Sequence, residues 1–82
     1  MITISDACKI ALQEMPGYQI ISASEIEDGW LFNFALPDGS TPDISPLLIS
    51  KETGKIKNYV FEEYIMEILS ATPIELSKLK DI

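Results

Sequence analysis

The sequence predicts an α+β domain in which helices cover one face of a four-stranded antiparallel sheet. Three observations predict it. Apolar residues recur at helical spacing near each end of the chain, they alternate from Trp30 to Leu36, and Gly-containing turns divide the middle into hairpins. With 82 residues there is room for one core, so residues 1–82 form a single domain. Apolar content of 46% against 23% charged residues is that of a folded globule rather than a disordered chain. A core this small supports a stability of about 5 kcal/mol.

Thr3 opens the first helix, because its hydroxyl can accept from the third helical position and Asp6 stands there to reciprocate. Ala7, Cys8, Ala11, Leu12 and Met15 then share one face, and Pro16-Gly17 ends the helix after Glu14. Tyr18 to Ile26 reads as a strand, followed by a tight turn at Asp28-Gly29. Trp30, Phe32, Phe34 and Leu36 form the aromatic row of the next strand and are read as core under the first helix. A two-residue turn pairs Glu27 with Trp30 and puts Ile21 and Ala23 on that inner face, whereas a longer loop reverses the parity. Pro37 to Asp43 is a polar loop. Pro46–Ser50 and Ile56–Val60 form a second hairpin around Lys51-Glu52-Thr53-Gly54-Lys55, with Gly54 left-handed. Phe61 to Leu69 is a helix with Phe61, Tyr64, Ile65, Ile68 and Leu69 inward and Glu62, Glu63 and Glu67 outward. Thr72-Pro73-Ile74-Glu75 has the pattern of a helix start, giving a short terminal helix through Leu79.

Residue chemistry argues against catalysis. The chain has no His, so acid–base work falls to carboxylates, Lys, Tyr or Cys8, and Cys8 sits on an apolar helix face with nothing to activate it. No Gly-x-Ser-x-Gly elbow and no phosphate-cradling Gly motif occurs. Asp38, Ser40 and Asp43 lack the third ligand and closing Glu of a calcium loop, and zinc finds no Cys or His cluster, so neither metal nor cofactor is expected.

Charge is the remaining signal. The net value is −7, and no basic residue stands between Lys9 and Lys51, a stretch that carries Glu14, Glu25, Glu27, Asp28, Asp38 and Asp43. This disfavours nucleic acid and anionic membrane and favours a basic protein partner. The same carboxylates also serve solubility, and both readings stand. No apolar run has the length of a membrane span, the first residues lack a signal-peptide pattern, and Cys8 is the one cysteine. A cytoplasmic location is expected.

Two patches carry a family resemblance: Gly29-Trp30-Leu31-Phe32-Asn33-Phe34, and Pro46-Leu47-Leu48-Ile49-Ser50-Lys51-Glu52-Thr53-Gly54-Lys55-Ile56. Together with the opening helix they resemble immunity protein family thirty-five of bacterial polymorphic toxin systems, over about residues 2 to 60. The chain departs from that pattern before Pro46, where Ile44-Ser45 replaces a Gly-rich step. The resemblance implies a bacterial cytoplasmic protein that neutralises a co-encoded toxin domain by covering it. The residues expected to meet that basic partner are Glu25, Glu27, Asp28, Asp38 and Asp43. The alternative is a structural module in which Ile20, Ile26 and Leu31 face outward and pair two copies. A small enzyme ranks last.

Overall fold

Thr3 caps the first helix as its sequence predicts. Its hydroxyl accepts from the Asp6 amide at 3.2 Å, and the Asp6 carboxylate accepts from the Thr3 amide at 3.3 Å. In this computed structural model, which describes residues 1–41 and 45–75, helix α1 runs Ile4–Glu14. Strand β1 is Gln19–Glu25, β2 Gly29–Ala35 and β3 Leu47–Ser50; helix α2 is Phe61–Leu69 and strand β4 Thr72–Ile74. The fold is α+β, with a four-stranded antiparallel sheet in the order β3-β2-β1-β4 and two helices among the described residues.

The first hairpin turns one residue earlier than its Asp28-Gly29 pair suggests. Ile26 and Gly29 exchange backbone bonds around Glu27-Asp28, so Glu25 faces Trp30. The shift is two residues in pairing, which preserves parity and keeps Ala23 on the aromatic face. Ile21 does not stay there. A bulge between Ile20 and Ser22 turns Ile20 inward and leaves Ile21 39% exposed.

β2 is buried on both sides. Trp30, Phe32 and Phe34 meet Ala7, Cys8 and Ala11 of α1, whose small side chains let the helix lie close to the aromatic row. Leu31 points the other way, and with Ile26 and Leu48 it packs under Tyr59, Tyr64, Ile68 and Ala71. The two helices therefore lie on opposite faces of the sheet, not on one. The alternation of β2 explains this: the residues between the aromatics include a Leu as fully buried as Phe32, and it needs a cover of its own. For the same reason Ile26 and Leu31 are core residues and Ile20 packs on the first cluster, so the three do not form an outward surface for pairing two copies.

The second hairpin starts and then stops. Gly54 is left-handed at φ 74°, and Ser50 donates to the Lys55 carbonyl at 2.9 Å. Only Ile56 bridges to Ile49, and Lys57 donates to Leu48 at 2.8 Å. The chain then leaves the sheet, because Tyr59 dives onto the second face, where its hydroxyl donates to the Pro46 carbonyl and its ring meets Tyr64 edge-on at 5.4 Å. The expected strand over Ile56–Val60 is thus replaced by a connection that carries α2 across the sheet.

The fourth strand comes from the end of the chain. Thr72–Ile74, read from sequence as a helix start, is extended and pairs antiparallel with Ala23–Glu25. The open edge of β1 presented unpaired backbone groups, and satisfying them outweighs a capping pattern. Pro73 fits because β4 is an edge strand. The rest of the expected terminal helix, through Leu79, lies outside the described residues.

Gly29 is the tightest position in this packing. A Cβ there would run into the Ile49 carbonyl oxygen, which is backbone and has no rotamer to escape into. Gly29→Ala should cost about 2–3 kcal/mol by urea denaturation. Thr3→Ala, which removes only the cap, should cost about 1 kcal/mol; equal losses for the two would contradict the close approach of β2 and β3.

Candidate functional site

The turn between β1 and β2 projects Glu27 and Asp28 at one end of the sheet, both exposed. The start of the second hairpin lies against it, since the Lys51 amide donates to the Asp28 carbonyl at 3.0 Å. Two lysines follow from that contact. Lys51 Nζ stands 2.7 Å from Glu25 Oε2 and 5.7 Å from the centre of the Trp30 ring. Lys57 Nζ stands 3.6 Å from Asp28 Oδ2 and 5.7 Å from the centre of the Tyr64 ring. The Tyr64 hydroxyl, and after it Asp28, hold the Lys57 ammonium above its ordinary value. Both ion pairs are reached by solvent, so screening keeps their contribution to stability small, and least for the exposed Lys57–Asp28 pair.

Two shallow clefts meet at this end and share Glu27 and Lys51. One, of about 410 Å³, lies between the hairpin turn and the end of α2 and adds Glu25 and Glu67. The other, of about 540 Å³, adds Asp28, Glu52 and Lys57. Across both, the carboxylates of Glu25, Glu27, Asp28, Glu52 and Glu67 face the ammonium groups of Lys51, Lys57 and the Met1 amino terminus, five negative charges against three positive, a surplus of −2.

Of the expected partner-binding residues, Glu25, Glu27 and Asp28 are brought together here. Asp38 is not. It follows β2 at the other end of the hairpin, about 20 Å away by the rise of an extended strand. There it is engaged locally: its Oδ1 accepts from the Ser40 amide at 2.9 Å and the Ser40 hydroxyl at 2.6 Å. The Ser40 hydroxyl first, then its amide, hold the Asp38 carboxyl below its ordinary value. Asp43 lies outside the described residues. Glu25, Glu27 and Asp28 therefore do not form a single patch with Asp38, because a hairpin sends its turn and the residues that follow its second strand to opposite ends of the sheet. Glu52 and Glu67 complete the acidic end instead. Nothing in the local sequence marks them; Glu67 arrives only because α2 runs back toward the turn before β4 pairs with β1.

The chemistry available here is recognition by charge. Among the described residues no polar or charged side chain is buried, and no group of three or more His, Cys, Asp or Glu is placed to hold a metal ion. Cys8 lies on the buried face of α1, and burial pushes its thiol up from its ordinary value, which disfavours the thiolate. Trp30 is core, 6% exposed, with the Lys51 ammonium over its ring. No helix among the described residues is long and apolar enough to cross a membrane. Comparison of the chain with protein-family models, curated proteins and solved structures gives no match.

Reaction of Cys8 with a thiol reagent should be slower in the folded protein than in urea by on the order of 100-fold. A rate near that of the unfolded chain would show that α1 does not seal the thiol.

Proposed function

We propose that this chain is a non-catalytic binding protein whose acidic end, at the turn between β1 and β2, meets a cationic protein surface. The observation that supports it is the surplus of −2 gathered there from separate elements, with all five carboxylates lining open clefts. Charge placed in this way steers encounter with a positive partner, and Lys51 and Lys57 hold two of the five carboxylates, Glu25 and Asp28, in position. The resemblance of Gly29–Phe34 and Pro46–Ile56 to immunity protein family thirty-five supplies the biological class: a protein of the bacterial cytoplasm that neutralises a co-encoded toxin by covering it. Inhibition of that kind requires complementarity alone, which suits a chain whose cysteine is buried and in which no polar or charged residue is buried among the described residues.

The test is to read the neighbouring reading frame, which this proposal expects to encode a large secreted protein, and to express the C-terminal domain of that protein alone and with this chain. Growth arrest by the domain alone, growth restored by co-expression and a stoichiometric complex by calorimetry are the expected results. Glu27→Lys with Asp28→Lys should weaken that complex at least about tenfold, with circular dichroism unchanged. A toxic neighbour that the chain neither binds nor neutralises would overturn the reading, and undiminished binding by the double variant would overturn the role of the acidic end.

A further inference from the structure

The dipeptide Asp-Gly occurs twice, at Asp28-Gly29 and at Asp38-Gly39, and the fold treats the two in opposite ways. In Asp-Gly the glycine amide nitrogen reaches the carboxyl carbon of the preceding side chain with no Cβ in its path. The N–Cγ bond forms, the Cγ–O bond breaks and water leaves with the amide proton, closing a succinimide. Water then reopens the ring. Attack at the side-chain carbonyl restores aspartate. Attack at the main-chain carbonyl cuts the original peptide bond, so the chain runs on through Cβ and Cγ as isoaspartate with a free α-carboxyl. No oxidant or cofactor enters. The closure is intramolecular, so its rate is set by whether the backbone is free to turn.

At Asp28-Gly29 it is not free. The Asp28 carbonyl accepts from the Lys51 amide at 3.0 Å, and Gly29 is buried and pairs with Ser50 of β3. Gly29 lies so close to β3 that a Cβ would meet the Ile49 carbonyl oxygen. A carbon added to the main chain here would push β2 away from β3, so ring closure waits for the sheet to open.

At Asp38-Gly39 the surroundings are open. Residues 37–41 are exposed, Gly39 is left-handed at φ 91°, and a Cβ there would meet nothing within 4 Å. The turn is held by the Gly39 amide on the Leu36 carbonyl at 2.9 Å and the Leu36 amide on the Ser40 carbonyl at 2.8 Å, surface bonds that open without the sheet. The Asp38 side chain is already folded back along the chain. Its Oδ1 accepts from the Ser40 amide at 2.9 Å, and the ring closed by that bond encloses the Asp38–Gly39 peptide.

We infer that Asp38-Gly39 is a site of spontaneous isoaspartate formation in the folded protein, and that the sheet protects Asp28-Gly29 from the same reaction. The product is a substrate for the class of methyltransferase that esterifies the free α-carboxyl of isoaspartate with S-adenosylmethionine. Asp38 stands at the end of the β1–β2 hairpin away from its turn, so the change leaves Glu25, Glu27 and Asp28 in place. This inference does not rest on the binding reading.

The test incubates the full chain in neutral buffer at physiological temperature, folded and in guanidinium chloride, until the unfolded sample is half converted. Samples are then denatured and digested with endoproteinase Asp-N, which cuts before aspartate and not before isoaspartate, and the peptides are quantified by mass spectrometry. In the folded protein, cutting before Asp38 should be lost at least about tenfold faster than cutting before Asp28. In guanidinium chloride the two rates should agree within about twofold. Asp38→Glu, which would have to close a larger ring, should abolish methyl transfer to the incubated folded protein by an isoaspartyl methyltransferase, and Asp28→Glu should leave it unchanged. Equal loss at the two sites in the folded protein, or faster loss at Asp28, overturns the protection by the sheet. Cutting before Asp38 that persists in the folded protein shows that the turn does not open and overturns the site. Methyl transfer that survives Asp38→Glu places the isoaspartate elsewhere and overturns it as well.

Discussion

The constraint on which this structure depends is that β2 is apolar on both faces. Trp30, Phe32 and Phe34 fill one side and Leu31 the other, with Ile49 and Leu48 of β3 extending each row. A strand with one wet face can sit in a two-layer fold, but burying Leu31 to 1% exposure requires a third layer. The departure of the chain at Tyr59, the crossing by α2 and the return as β4 all follow from that requirement.

Local elements were legible in the sequence and their mutual placement was not. α1 and α2 begin and end where caps and periodicity put them, because the apolar period and Pro16-Gly17 are decided within a few residues. Ile56–Val60 and Thr72–Ile74 went the other way for non-local reasons. The first has the composition of a strand, but its partner edge competes with a vacant sheet face that Tyr59 fills. The second carries a capping pattern, but the edge of β1 offers backbone partners to any segment delivered beside it. Ile21 shows the same limit at one residue: no composition signal announces a bulge.

The acidic site was half legible for a related reason. Glu25, Glu27 and Asp28 are close in sequence and flank one turn, so their gathering needs only a hairpin. Asp38 follows in sequence but is carried the length of β2 to the other end. Glu52 and Glu67 are distant in sequence and reach the turn through the β2–β3 pairing and the return of α2. Lys51 is placed by the same pairing, and its ammonium engages Glu25 while standing over the Trp30 ring. The acidic end is thus a product of sheet order, and the sequence held its charge without its location.

A third layer made of one short helix leaves part of its own apolar arc uncovered. Nine residues offer little over two turns, and a contact row of Tyr64 and Ile68 uses less than half of the apolar arc that Phe61, Ile65 and Leu69 continue. Those three stay 38%, 40% and 76% exposed, because a single helix lying on a sheet turns only one stripe of side chains onto it. The third layer is thus the least that burying Leu31 requires: its inner row closes the fold, while no residue of the helix is itself buried.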